Sequence, residues 1–269
     1  MTFRELLKAE AIFVYADIFR RKAVLFTYIA FPYILTMFIV LIGSSVGSYQ
    51  AFKERLGTDP IPFFLTASYL MMSVLAVSDD VLWKPIHDKM MGTLPYILVT
   101  HVSKLLYFIT IPIPRLALVI LLGFASLPPV FIFFYGIEGV YTVFRIVLMS
   151  LLSSVLYITF SILLVGTLYS IGGESWRILN IVRPLLLIFL GIYYPKFLMP
   201  TMLFIVSSLL PPSYIIELMY RSLLNIMTSQ TYVLELMGLA IAISLIYAPL
   251  GSKALGSWER RKVSKGVEV

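Results

Sequence analysis

The chain has no cysteine, which excludes disulfides, thiolate metal sites and cysteine nucleophiles together. Charge is scarce, at 13% of the 269 residues, and only two residues are histidine. His87 and His101 have no clustered carboxylates around them, so no metal site is expected. Ser, His and Asp all occur between Trp83 and Arg115, but nothing there marks an activated nucleophile. A G-x-x-x-x-G-K-[ST] phosphate loop is also absent. The chain alone is therefore not expected to hydrolyse ATP, and no cofactor is assigned to it.

What is present is apolar. Hydrophobic residues make up 60% of the sequence and the mean hydropathy is +0.95. A helix needs about 20 apolar residues to cross a hydrocarbon core about 30 Å thick. Residues 23–46, 62–82, 116–135, 141–169 and 232–255 meet that demand or come close. Soluble helices rarely stay apolar on every face for so long, and barrel strands are short and alternating. The expected fold is an all-α integral membrane protein. The run from Ala23 to Val46 is too long for the apolar part of a cleavable signal.

Lysine and arginine favour the cytoplasmic side of a membrane. Before the first span lie Arg4, Lys8, Arg20, Arg21 and Lys22; at and after the last lie Lys253, Arg260, Arg261, Lys262 and Lys265. Both termini are thus expected inside, which requires an even number of crossings. Lys84, Lys89, Lys104 and Arg115, then Arg177 and Arg183, fall in inner connections on that topology. Lys53, Arg55, Arg145, Lys196 and Arg221 are left outside or near that face. Placement accounts for the net charge of +7 without a nucleic-acid partner.

The fifth span is broken. Pro184 to Tyr194 is followed by Pro195-Lys196, then by residues 197–210 with Pro200 inside and Pro211-Pro212 at the end. Proline removes a helix donor and clashes with the preceding turn. One crossing followed by a re-entrant dip over about 195–212 gives six spans; one long kinked helix is the alternative. Irregular backbone at that depth must be buried in protein or line a cavity. Tyr193, Tyr194, Pro195 and Pro200 form a candidate outer gate.

Residues 1–22 read as an interfacial amphipathic helix, with Phe3, Leu6, Leu7, Phe13, Val14 and Ile18 at helical spacing. Glu10 and Asp17 interrupt its apolar side. The membrane domain then covers 23–255 and a basic tail 256–269. The longest inner connection, about 83–115, has Pro85 as an expected helix stop and Gly92-Thr93 as a start for another helix. Docking onto a cytosolic partner and a plain solvated linker are its two readings. Asp79 and Asp80 are expected near the inner end of the second span, solvated or paired with Lys84 or Arg115, and Arg115 is expected to reach the headgroups. Tyr28, Tyr33, Tyr69, Tyr107, Tyr193 and Tyr194 read mainly as interfacial anchors. Gly43 and Gly47 have the spacing of a close helix contact, within or between subunits.

Three stretches carry a family resemblance. They are Asp88-Lys89-Met90-Met91-Gly92-Thr93-Leu94 continuing to Ser103-Lys104, then Gly191 to Pro200 continuing through Pro211, Tyr214, Glu217 and Arg221, and Tyr247-Ala248-Pro249-Leu250-Gly251 leading into Trp258-Glu259-Arg260-Arg261. In this order, within six spans, they resemble the membrane permease subunit of type-2 ATP-binding cassette (ABC) exporters. Pro95 and His101 stand where that family often has an acidic residue and a proline.

The resemblance implies a half-transporter in the plasma membrane, paired with a second, identical permease chain and two copies of an ABC ATPase subunit. ATP and Mg would be held by the ATPase, and lipid would surround the chain. Asp88, Lys89, Gly92, Thr93, Leu94, Tyr96, Thr100, His101, Ser103 and Lys104 would then form the ATPase-coupling segment. Scarce charge within the spans suggests an amphiphilic or hydrophobic cargo: a drug, lipid, lipid-linked glycan or peptide. A channel or secondary carrier working without ATP is the alternative, and it would want polar groups near the midplane. A membrane-embedded enzyme would want clustered acids or histidines at one depth, and Asp79-Asp80 is the nearest approach to that.

Overall fold

The computed structural model describes residues 2–47, 49–100, 102–171, 175–226 and 228–265. It is 87% helical, with no strand among the described residues. Helix α1, Phe3–Val14, starts on a capping box in which the Glu5 carboxylate accepts the Thr2 amide at 2.7 Å. It runs into a single π-helical turn, Tyr15–Phe19. Leu6, Val14 and Ile18 are buried, so this segment is amphipathic and packs on the bundle, as its spacing suggests.

Helix α2, Lys22–Val46, is followed by the short α3, Tyr49–Leu56, and by α4, Pro60–Met90. Helix α5, Leu94–Val99, is separate. Then come α6, Lys104–Thr110, α7, Pro112–Ser126, and α8, Pro128–Tyr135. The joints between these three fall at Pro112 and Pro128, where proline starts a helix readily but cannot donate to a continuing one. Helix α9, Glu138–Ile171, precedes α10, Ser175–Phe189. A 3-10 turn, Lys196–Leu198, leads to α11, Thr201–Ser208, α12, Pro211–Leu223, and α13, Gln230–Lys265.

Among the described residues five segments are long and apolar enough to cross a membrane: Lys22–Ser45, Pro60–Met90, Lys104–Tyr135, Glu138–Ser170 and Gln230–Arg261. The architecture is thus that of an all-α membrane protein. Helix α4 is its centre, packing against α2, α7 and α9, whereas α2 and α13 keep most of their surface exposed.

Pro85 does not stop α4, which continues to Met90. The ring removes one backbone bond, but Pro85 is buried and polar side chains on both sides of it are tied to other helices. At the other side α6 begins at Lys104. The irregular connection therefore shrinks to the residues between Met90 and Lys104, broken only by α5.

Helix α10 lies antiparallel to α4: Arg183 meets Asp79 and Tyr193 meets Met71. Its 15 residues span about 22 Å. After it, α11 and α12 meet at a bend of 117°, the angle of either a broken span or a re-entrant loop. Helix α12 runs on to Leu223, beyond the expected re-entrant stretch, with its residues buried between α9 and α13.

Lipid is as apolar as a side chain, so helices in it associate through close packing and polar bonds. Gly166 faces Ala254, and a Cβ at Gly166 would stand 2.6 Å from the Ala254 Cβ. Gly251 makes the reciprocal approach to Leu163, so α9 and α13 touch nearly backbone to backbone. Gly43, with the sequence spacing for such a contact, has open space beside it. The tyrosines supply polar bonds. Tyr33 donates to the Ser126 carbonyl, Tyr169 to Leu82 at 2.8 Å, and buried Tyr69 lies 3.3 Å from the Ser150 hydroxyl. Of the six tyrosines expected as anchors, Tyr194 is the exposed one; the rest join helices.

Ion pairs from Lys84 to Glu10 and from Lys104 to Glu259 gather α1, the end of α4, the start of α6 and the end of α13 at one end of the bundle. Lys53–Asp59 and Arg145–Ser222 mark the opposite end.

Candidate functional site

The segment between α4 and α6 is built by its own backbone. Gly92 takes φ +69°, a conformation that costs glycine little. The Gly92 amide donates to Lys89 O at 3.1 Å and the Thr93 amide to Asp88 O at 2.9 Å. That pair closes α4 as a Schellman motif, and Thr93 stands at the N-cap position of α5 with its hydroxyl turned to Asp88.

Two buried charges hold the segment. Asp88 is 5% exposed; it accepts the Tyr107 hydroxyl at 2.7 Å and the Thr93 hydroxyl at 3.3 Å. Lys84 stands 3.8 Å from Asp88 and 3.1 Å from Glu10, so the network reaches α1. Lys104 donates to the carbonyls of Ile97, Thr100 and Val102 at 2.8, 3.0 and 3.3 Å and pairs with Glu259 at 3.5 Å. A buried charge costs several kcal/mol unless it is paired or hydrogen-bonded, and both are.

The outward face is apolar. Met90 and Val99 are each 81% exposed and Tyr96 76%, with Met91 beside them. Leu94 and Leu98 point inward. Lys89, Gly92, Thr100 and Ser103 are also exposed; His101 lies outside the described residues. Two of its charges, Asp88 and Lys104, are turned inward, while large apolar groups and Lys89 face outward. Exposed apolar surface occurs where a protein meets another protein or a membrane.

A second cluster lies one helical turn and more up α4. Arg115 does not reach out to the headgroups but pairs with Asp80, the ion pair that the sequence offers as one reading. Its Nε is 2.9 Å from Asp80, its Nη1 donates to the Tyr28 hydroxyl at 2.9 Å, and its Nη2 is 3.5 Å from Asp17. Asp79 pairs instead with Arg183 of α10 at 2.8 Å. Glu10 and Asp17, which interrupt the apolar face of the N-terminal helix, are the acids that meet Lys84 and Arg115. Their spacing of two helical turns was the available signal; nothing local identified their partners.

The candidate gate residues are dispersed. The Tyr193 hydroxyl stands 3.3 Å from Met71 Sδ, Pro195 is buried, and Tyr194 and Pro200 are exposed. The polar centre of that region is instead Lys196, 2% exposed, with Nζ 3.5 Å from the Tyr214 ring centroid. Nearby, buried Glu217 accepts from Arg221 at 3.0 Å and from the Tyr232 hydroxyl at 2.8 Å. A lysine in a Pro-rich loop read as an outer charge; that two aromatic rings cover it required the bend between α11 and α12.

Among the described residues no group of three or more His, Asp or Glu side chains is placed to hold a metal. In comparisons with known proteins the chain matches no family model, no curated protein and no solved structure. Its reading therefore rests on these residues and their geometry.

Proposed function

We propose that this chain is the permease subunit of an ABC exporter, forming half of a transmembrane pathway for an amphiphilic or hydrophobic cargo and driven by a separate ATPase. The observation that carries the reading is the segment from Asp88 to Lys104. A surface held rigid from within and apolar on its outer side suits a protein partner that presses on it. Asp88, Thr93 and Lys104 hold the shape; Met90, Met91, Tyr96 and Val99 make the contact. A rigid-body transition needs such a docked lever and no catalytic residue in this chain. ATP and Mg belong to the partner on this reading, and a second, identical permease chain completes the pathway.

In the same reading the bundle has six crossings in the plasma membrane with both termini cytoplasmic. Helix α10 is the fifth, thin crossing, lengthened by the residues that follow it, and α11–α12 is the re-entrant hairpin on the outer side. The shared end of α1 and α13, rich in Lys and Arg, supports an even count.

The test is recovery of the tagged chain from its native membranes. A phosphate-loop ATPase is expected to co-purify with the parent chain and to be lost with Y96D/V99D, two exposed positions whose substitution leaves the buried network alone. Equal recovery from the variant overturns the assigned contact. ATP-independent flux from the purified chain in liposomes would instead support the carrier reading.

A further inference from the structure

Two cavities meet at Asp79 and Arg115, which line both. The smaller, about 200 Å³, is walled by Phe31, Met72, Leu75 and Ala76 with Tyr28 at its edge. The larger, about 320 Å³, is lined by Glu10, Asp17, Asp80, Lys84 and Trp83. That volume lies at the small end of ligand pockets, which run from about 300 Å³ upward. The first compartment is mainly apolar, and the second adds charged side chains to an apolar wall of Phe13, Val14 and Ile111.

The charge of a ligand's head follows from which groups already have partners. Arg115 is committed to Asp80, Asp17 and Tyr28, and Lys84 to Glu10 and Asp88. Arg115 Nε makes no hydrogen bond, but the Asp80 carboxylate 2.9 Å away leaves an anion little room on that side. Asp79 differs: its Oδ2 is taken by Arg183, and its Oδ1 is buried without a hydrogen-bond partner. Asp79 lines both cavities, whereas its partner Arg183 lines neither, and both side chains of the pair are 37% exposed. Arg183 comes from α10, a thinly packed helix.

We propose that this cleft binds an ammonium group carried on an apolar chain, with Asp79 as the acceptor and Arg183 as an internal counter-ion with which the ligand competes. The inference rests on the transport-subunit reading only for its consequence, that the ligand is cargo; the binding itself needs no ATPase. The ammonium would sit on the cavity side of the Asp79 carboxylate, competing with Arg183 for its charge, and the alkyl chain would run along Phe31, Met72 and Leu75.

The experiment uses the purified full chain in phosphatidylcholine nanodiscs, with nitroxide-labelled octylammonium as the probe and quenching of tryptophan fluorescence as the readout, Trp83 being in the cleft. Saturable quenching is expected, competed by octylammonium and not by octanol or octyl sulfate. D79N should weaken binding about tenfold, the equivalent of one charge-assisted hydrogen bond. R183Q should tighten it by removing the competitor, which guards against a misfolded D79N. Binding unchanged in D79N, or octanol competing as well as the amine, overturns the proposal. Weaker apparent affinity in discs containing phosphatidylethanolamine assigns the ammonium to a lipid headgroup; unchanged affinity assigns it to a free amphiphile. Either result upholds the site. Loss of ATPase co-purification in the earlier test would leave this binding intact, so the two failures are separable.

Discussion

Lys104 and Asp88 show how single residues shape a surface they do not reach. Each is buried, and each is satisfied by groups that would otherwise be free to move. Replacing Lys104 by Met keeps the stem and removes the donors to three carbonyls. A hydrogen bond to a charged group contributes about 1.5–3 kcal/mol, enough to release the segment without unfolding the bundle. K104M is therefore expected to show faster proteolytic cleavage between residues 94 and 104, with unchanged helical circular dichroism. Cleavage at the parental rate would refute the anchoring role. The sequence marks Lys104 as a charge in an inner connection; its inward direction follows from α5 folding back over it.

At the scale of elements, glycine spacing misleads where packing decides. The Gly43–Gly47 pair reads as a close helix contact, yet a side chain at Gly43 would meet nothing within the chain. Gly166 and Gly251 carry no such pattern, and they let α9 and α13 approach. Overpacking a tight contact costs about 1–3 kcal/mol, whereas an exposed substitution stays within about 0.5 kcal/mol. G166L should thus lower the melting temperature of the detergent-solubilised chain clearly, and G43L should leave it unchanged. A fall in G43L measured at high protein concentration, absent on dilution, would assign Gly43 to a contact between copies. Proline is equally dependent on context: Pro112 and Pro128 start new helices, but Pro85 rides inside α4 because its neighbours are tied elsewhere.

At the scale of the molecule, the topology can be tested directly because the chain has no cysteine to remove. A single cysteine at Tyr96, at the end shared by α1 and α13, and one at Lys53, at the opposite end, should label from opposite faces of intact cells with a membrane-impermeant maleimide. With six crossings, Y96C is protected until the membrane is opened and K53C labels at once. Labelling of both from outside would break the bundle arrangement and the inner position of the coupling segment together.

The long apolar helices, the amphipathic start of the chain and the break between Phe189 and Thr201 were determined by the sequence alone. Each depends on length and on residue order within a few turns, which is local information. The ion pairs were decided by tertiary structure: Glu10 meets Lys84 across 74 residues and Arg183 meets Asp79 across 104. No periodicity encodes such partners, because a charge near a membrane boundary is equally consistent with water, a headgroup or a distant side chain until the helices pack. The same holds for the segment from Asp88 to Lys104, whose outward methionines and tyrosine read as ordinary apolar residues until folding turns Asp88 and Lys104 inward.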